Sequence, residues 1–367
     1  MNKQREFYKY IHLIYAHDEK FVMHLLKTFN DKDAGFKIDD HLFVVCVSEL
    51  YEVLKVFPNV ILDNSKKNLY LKYAKHCSWI ISHGMETQVN TILTPRHIRK
   101  KIIYRYWGGS RTTGLRPNIK HPISFIRQNI KIFIFKRIME SFAAIGVANN
   151  VDIADLSRKL SCRTRYYFLG YPSREKSMAL KKAIKENKNR VIENQKIKVL
   201  LGHRGKPEGN HIKNLERLKK YDSNLFDIYI PLSYGDEEYI DKVKKYVYEN
   251  NITNVIIIED FIPFDKYVGF LAEMDICLFD GETSYALGNI SMLLALEKTI
   301  YLSKDGILKI AFDLETIPYR LIEDIGNLSF KEFSFKFIYN SDNYSLATKG
   351  DYQQSVNRWK KLFEDFS

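Results

Sequence analysis

The chain has 367 residues, 45% hydrophobic and 28% charged, with a formal net charge of +13 and a mean hydropathy of −0.30. That length and balance suit two ordinary globular domains and exclude an integral membrane protein, since no run approaches the roughly 18 to 20 apolar residues of a spanning helix. The start, residues 1–6 leading into 8–15, is too short and polar for a signal peptide. The four cysteines, Cys46, Cys77, Cys162 and Cys277, show no metal-type spacing. A reduced, cytoplasmic setting follows, with neither disulfide nor zinc expected.

In chain order, residues 10–15 read as a first strand, followed by the loop His17-Asp18 and a helix over 21–29. Strands are expected at 42–47, 79–82, 102–106 and 143–148. His83 follows the strand at 79–82 and precedes Gly84. It therefore lies at the carboxyl end of a strand, where open α/β sheets bind ligands. An imidazole with an ordinary pKa near ~6.5 suits removing a proton from a hydroxyl. Asp18 follows the first strand in the corresponding place. Taken singly, these are an ordinary loop histidine and a helix-capping aspartate; taken together, they are candidates for a general base. Nothing in the sequence requires a divalent metal, and none is expected.

From Thr87 to Met139 there is no acidic residue, yet twelve Lys or Arg fall between Arg96 and Arg137, interleaved with aromatics. Such a stretch attracts nucleic acid, acidic lipid headgroups or a pyrophosphate-bearing substrate. The helical stretch 123–138 mixes apolar and basic residues. It reads either as a helix lying on an anionic leaflet or as a solvated basic face with its Ile and Phe turned into the core. The pattern breaks around 166–172. Residues 174–197, rich in Lys, Glu and Asn, read as a connector with a helix over 177–186.

The most regular stretch is 199–302. Five short apolar runs (198–201, 227–230, 255–258, 276–279 and 299–302) alternate with amphipathic helical segments, the pattern of βαβ units and a parallel sheet. Two glycine-bearing loops, Gly202-His203-Arg204-Gly205 and 280–289 ending in Gly288-Asn289, each open into a helix. A helix start offers N–H groups and a positive dipole end to an anion, which points to a nucleotide-linked substrate. Between them, Asp265 is the expected N-cap of a further helix. Residues 352–366 close the chain with a single apolar helical stripe: Val356, Trp359, Leu362, Phe363 and Phe366. The organisation expected is 1–173, a connector at 174–197, 198–349, and a final helix at 350–367.

Several segments carry a family resemblance. They are Trp107-Gly108-Gly109, Leu201-Gly202-His203-Arg204-Gly205 with Asn210-His211-Ile212, Ile230-Pro231-Leu232-Ser233-Tyr234-Gly235 with Glu238-Tyr239-Ile240, and Gly288-Asn289-Ile290. With them the block 199–302 resembles the nucleotide-binding half of GT-B glycosyltransferases. More narrowly, the chain resembles the bacterial N-acetylfucosamine (4-acetamido-4,6-dideoxygalactose) transferases, the 4-alpha-L-fucosyltransferase family, which act on a lipid-linked saccharide. The family's Trp-Gly-x-Asp reads Trp107-Gly108-Gly109-Ser110 here, without the carboxylate.

The resemblance implies a GT-B fold: two Rossmann-like α/β domains facing a central cleft, with a closing C-terminal helix. It implies a metal-independent hexosyltransferase that uses a dTDP- or UDP-sugar as co-substrate, with no other cofactor. Gly202, His203, Arg204 and Gly205 would lie beside the donor diphosphate. Tyr234 would stack on the base, and the loop holding Ile262 would meet the base through backbone atoms. Tyr285, Gly288 and Asn289 would bring a helix start to the diphosphate. For Arg204 a solvated loop charge is an equal alternative; Tyr234 reads otherwise as an ordinary turn aromatic, and Asn289 as a simple N-cap, a role compatible with meeting the diphosphate. His83 or Asp18 would be the base if the reaction inverts, a role that disappears if it retains configuration, with His17, Trp107 and Gly108 on the acceptor side. The acceptor would be a polyprenyl-diphosphate-linked saccharide, docked at the inner face of the plasma membrane through segment 96–137 of a peripheral, cytoplasmic protein. The rival readings are a nucleic-acid-binding protein using that basic segment, and a catalytically inactive α/β interaction protein.

Overall fold

A computed structural model of the chain describes residues 6–15, 19–65, 67–85, 88–106, 122–188, 196–282, 286–340, 343–347 and 351–367. The chain divides into two compact units. One comprises residues 1–173 with 351–367, and the other 174–350.

The first unit is built on a seven-stranded sheet of β1 (Tyr8–Ile14), β2 (His41–Val45), β3 (Val60–Leu62), β4 (Cys77–His83), β5 (Ile102–Arg105), β6 (Ala144–Val147) and β7 (Tyr166–Phe168). The strands run parallel in the order β3-β2-β1-β4-β5-β6-β7. Helices cover both faces, which is why these strands read as near-continuous apolar runs. On β1, Ile11 and Leu13 enter one core; Tyr10 and Ile14 enter the other. The parity places His12 on the Tyr10 side.

The closing helix Tyr352–Asp365 starts at Asp351, whose carboxylate accepts from the Gln354 N–H at 2.8 Å. It packs on the first unit's sheet. Trp359 is fully buried and donates Nε1–H to the Gly170 carbonyl at 2.8 Å. Tyr10 Oη donates to the Phe363 carbonyl at 3.2 Å. Truncating a buried tryptophan of this kind costs about 3–5 kcal/mol.

The second unit carries six strands: β8 (Ile197–Leu201), β9 (Phe226–Pro231), β10 (Val255–Ile258), β11 (Ile276–Phe279), β12 (Thr299–Leu302) and β13 (Arg320–Leu321). They are parallel in the order β10-β9-β8-β11-β12-β13. The sheet grows outward from β8 toward β10 and then restarts on the other side at β11. That reversal puts a ligand-binding switch point at the carboxyl ends of β8 and β11.

The two parallel α/β sheets follow the sequence expectation; several details depart from it. Strands β3 and β7 were not expected. Each has only three residues, too few to display a period. Strand β13 adds a sixth strand to the five expected in the second sheet. The segment 174–197, expected as a connector, contains the helix Arg174–Lys188, which buries Ser177, Leu180 and Ala183 within the second unit. Its Lys176 Nζ lies 5.4 Å from the centre of the Phe264 ring. Asp265 is not an N-cap: the helix is Phe264–Glu273, with Pro263 in the cap position and Asp265 in the first turn. There its charge still complements the helix dipole. Among the described residues no helix is long and apolar enough to cross a membrane.

Candidate active site

In the second unit the loops after β8 and β9 are joined. Gly205 N–H donates to the Tyr234 carbonyl at 3.0 Å, and Asp236 N–H donates to the Gly205 carbonyl at 2.8 Å. Asp236 also caps the helix Glu237–Glu249. Gly202, at φ +73°, donates its N–H to the Leu278 carbonyl at 3.0 Å, and a Cβ there would lie 2.6 Å from His211 Nε2. A Cβ on Gly205 would collide with Ile240. The N–H groups of both glycines are thus engaged within the protein. Both positions are also tightly packed, and the lack of a Cβ lets the loops approach each other and His211.

Arg204, between them, donates from Nη2 to Glu208 Oε1 at 2.7 Å, while its buried Nε has no acceptor. His203 is held neutral, its pKa lowered to about 3 by burial, then by the positive Arg204 and then by the His211 ring beside it. Behind the loop, Asp280 is buried and accepts from Asn214 Nδ2 at 3.1 Å and Arg217 Nη1 at 3.2 Å. Asn210 Nδ2 donates to the Asp280 carbonyl at 3.2 Å. This cluster ties the segment after β11 to the one after β8, and nothing in the residue spacing announced it.

At the carboxyl ends of β8, β9 and β10 these loops enclose a pocket of about 200 Å³. His203, Ser233 and Tyr234 line one side; Asp260, Phe261 and Ile262 follow β10 on another. Phe264, Tyr267, Phe270 and Asn289 complete it. Asn289 Nδ2 donates to Tyr267 Oη at 2.7 Å, and the rings of Tyr267 and Phe270 stack at 5.8 Å. Burial raises the Tyr267 pKa, so the phenol stays neutral. An aromatic wall with a few fixed polar groups suits a flat heteroaromatic ring.

His203, Tyr234, Ile262 and Asn289 are therefore brought together. Asn289 is not an N-cap: Ala286, at φ +56°, caps the helix Leu287–Ala295, and Asn289 is its third residue. Gly288 faces open space where a Cβ would stand. Of the pocket wall, Ser233, Phe261, Tyr267 and Phe270 had not been singled out as ligand contacts. His17, Asp18, Trp107, Gly108 and Tyr285 lie outside the described residues.

In the first unit, His83 is the last residue of β4 and only 1% exposed. Its Nε2 lies 3.0 Å from His12 Nδ1, and its Nδ1 lies 2.8 Å from Tyr171 Oη. His12 Nε2 in turn lies 3.0 Å from His41 Nδ1. Burial, then the neighbouring positive Arg105, lowers the His83 pKa to about 3; burial, then Lys9, does the same to His41. Burial and the two flanking rings push His12 well below the usual range. His83 is thus not an open base that meets a hydroxyl directly, because both ring nitrogens are partnered and its charged form is disfavoured. The half-buried Tyr171 is the outermost member of the set.

The helix Pro122–Met139 buries Phe135, Ile138 and Met139 but exposes Ile126 (61%), Ile130 (54%) and Phe133 (63%). The expected turning of its Ile and Phe into the core holds only at its C-terminal end. Arg127 and Lys131 are exposed beside that apolar stripe.

Two parallel Rossmann-like sheets, with a pocket at the carboxyl ends of one, make up a GT-B fold. The solved structures that resemble the chain agree in fold. Anabaena HepE in complex with UDP is 12% identical with a TM-score of 0.60, covering 97% of this chain and 99% of that one. A glycosyltransferase from Rickettsia africae is 12% identical with a TM-score of 0.57, covering 99% of each. A sucrose-phosphate synthase from Thermosynechococcus elongatus is 13% identical with a TM-score of 0.51, covering 98% and 96%. No curated protein matches by sequence. The chain belongs to the 4-alpha-L-fucosyltransferase family, glycosyl transferase group 56, whose model matches residues 11–335.

Proposed function

We propose that the protein transfers an amino-deoxy hexose of the N-acetylfucosamine type from a dTDP- or UDP-activated donor to a polyprenyl-diphosphate-linked saccharide, in bacterial surface polysaccharide synthesis. The observation that carries the donor half is the pocket at the ends of β8–β10, where Tyr234, Tyr267 and Phe270 offer ring faces to a pyrimidine and Asn289 a polar edge. That Anabaena HepE is solved with UDP supports a uridine or thymidine diphosphate in this place. Arg204, with its Nε unused, and the start of the helix Leu287–Ala295 would offset the charge that develops on the departing diphosphate. The reaction so written draws on no metal or further cofactor.

For the acceptor half, the helix Pro122–Met139 would rest on an anionic leaflet, with Ile126, Ile130 and Phe133 entering the acyl boundary and Arg127 and Lys131 meeting headgroups. Exposed apolar residues on a basic helix favour lipid over nucleic acid. The protein would then work peripherally on the cytoplasmic face of the plasma membrane. Calorimetric titration with UDP and dTDP, followed by transfer from dTDP-N-acetylfucosamine to a synthetic polyprenyl-diphosphate disaccharide, tests the reading. Absence of binding for both nucleotides would remove it.

A further inference from the structure

The three buried histidines of the first unit form a diagonal ladder. His41 opens β2, His12 is mid-β1 and His83 ends β4, on three adjacent strands. The register pairs Tyr10 with His41, His12 with Phe43, and Ile14 with His83. Each step therefore climbs two residues, about 6.6 Å, from the amino-terminal toward the carboxyl-terminal edge of the sheet. The ring contacts of 3.0 Å and 3.0 Å, and the 2.8 Å contact to Tyr171 Oη, make one unbroken hydrogen-bonded path.

Among the described residues, aromatic rings surround it and the charges acting on the imidazoles are positive. Phe43 stacks on His12 at 4.1 Å, Phe29 meets it edge-on at 5.4 Å, and Trp359 of the closing helix lies 6.2 Å from His83. Tyr10 stacks on His41 at 5.0 Å. The charges acting on the rings are Lys9 at His41 and Arg105 at His83, with Asp40 acting on Tyr10. Arg105 is held by the Leu169 carbonyl at 2.6 Å, and its guanidinium lies 5.5 Å from the centre of the Tyr171 ring. In this setting no imidazole stores a proton, but a neutral chain can pass one.

We propose that Tyr171, His83, His12 and His41 are a proton relay that serves the acceptor hydroxyl at the carboxyl-terminal edge of this sheet; the proposal rests on the reading of the protein as a glycosyltransferase. As the hydroxyl oxygen bonds to the sugar's anomeric carbon, the bond from that carbon to the diphosphate oxygen breaks, the nucleoside diphosphate leaves with the electron pair, and the hydroxyl proton passes to Tyr171 Oη. The Tyr171 proton moves to His83 Nδ1, the His83 Nε2 proton to His12 Nδ1, and the His12 Nε2 proton to His41 Nδ1. The proton on His41 Nε2 leaves to solvent. One proton enters, one leaves, and every ring ends neutral with its tautomer reversed. Tyr171 is the catalytic residue in this scheme; the three histidines are positioning residues that give its phenol an outlet. Arg105 stabilises the negative charge that develops on the phenol during transfer.

The relay can be examined without substrate. In the full chain labelled with nitrogen-15 histidine, at pH 7, His12, His41 and His83 should all be neutral. Tyr171→Phe, which removes only the oxygen, should shift the ring nitrogens of all three. A shift confined to His83, or an imidazolium at any of the three, would overturn the relay. In turnover with dTDP-N-acetylfucosamine and the polyprenyl-diphosphate disaccharide, Tyr171→Phe and His12→Gln should each lower kcat about 100-fold or more with donor KM unchanged. The dependence of the wild-type rate on deuterium fraction should be curved, as several protons move together; a straight line would also overturn the relay. If the wild-type chain transfers no sugar, the functional reading falls instead, and the spectra still decide whether the path is one coupled chain.

Discussion

Asn289 Nδ2 donates a 2.7 Å hydrogen bond to Tyr267 Oη, linking the helix after β11 to the helix after β10 across one wall of the pocket. A partly buried bond of this kind is worth about 0.5–1.5 kcal/mol net, and leaving one partner unmatched costs about 1–3 kcal/mol. Asn289→Ala should therefore raise the dissociation constant for UDP and dTDP about 10-fold by freeing the Tyr267 ring. Titration calorimetry measures this, and unchanged affinity would place the bond outside the nucleotide site.

Arg204 donates from Nη2 to Glu208, and its buried Nε has no acceptor. Arg204→Ala should weaken dTDP and UDP binding about 10- to 100-fold, the range of a charge-assisted hydrogen bond. The melting temperature should stay close to wild type, because the pair with Glu208 is partly exposed and contributes at most about 1 kcal/mol. Glu208→Ala is the informative companion: removing the competing carboxylate should leave nucleotide affinity equal or stronger.

On the helix Pro122–Met139, Ile130→Glu and Phe133→Glu alter side chains already exposed, so folding should be unaffected. Both should reduce co-sedimentation with phosphatidylglycerol vesicles. Lys131→Glu should do so in a salt-dependent way, each basic residue near the surface being worth about 1 kcal/mol. Equal sedimentation of all three variants with the wild type would detach this face from the membrane.

Four buried histidines, His12, His41, His83 and His211, have folded-state pKa values below that of the unfolded chain. The unfolded chain consequently takes up more protons as the pH falls below about 6.5. Stability is fully present above that value and is lost on acidification, at about 1.4 kcal/mol per histidine one pH unit below it. Melting temperatures at pH 7.5 and 5.5 should fall accordingly. A flat profile would mean that these rings can hold protons in the folded state.

Much of the fold was legible because parallel strands buried on both faces leave continuous apolar runs. The second sheet's runs at 199–302 could be read nearly strand by strand, and the family resemblance rested on its glycine loops. Short edge strands such as β7 and β13 left no such trace, since pairing with a neighbour, not their own pattern, makes them strands. In the site, Arg204, Tyr234 and Asn289 stood out by residue type beside glycines. Tyr267 and Phe270 looked like ordinary core residues of a helix.

The histidines show the division most clearly. His83 was visible from the sequence because it sits where a strand ends; His12 and His41 were single polar residues at the middle and start of two other strands. Local pattern marked the longer buried strands, because a continuous apolar run is a property of the chain itself. That three imidazoles meet at hydrogen-bonding distance was decided only by the order β2-β1-β4 and its register. These are long-range pairings between segments up to 71 residues apart, and no local signal encodes them.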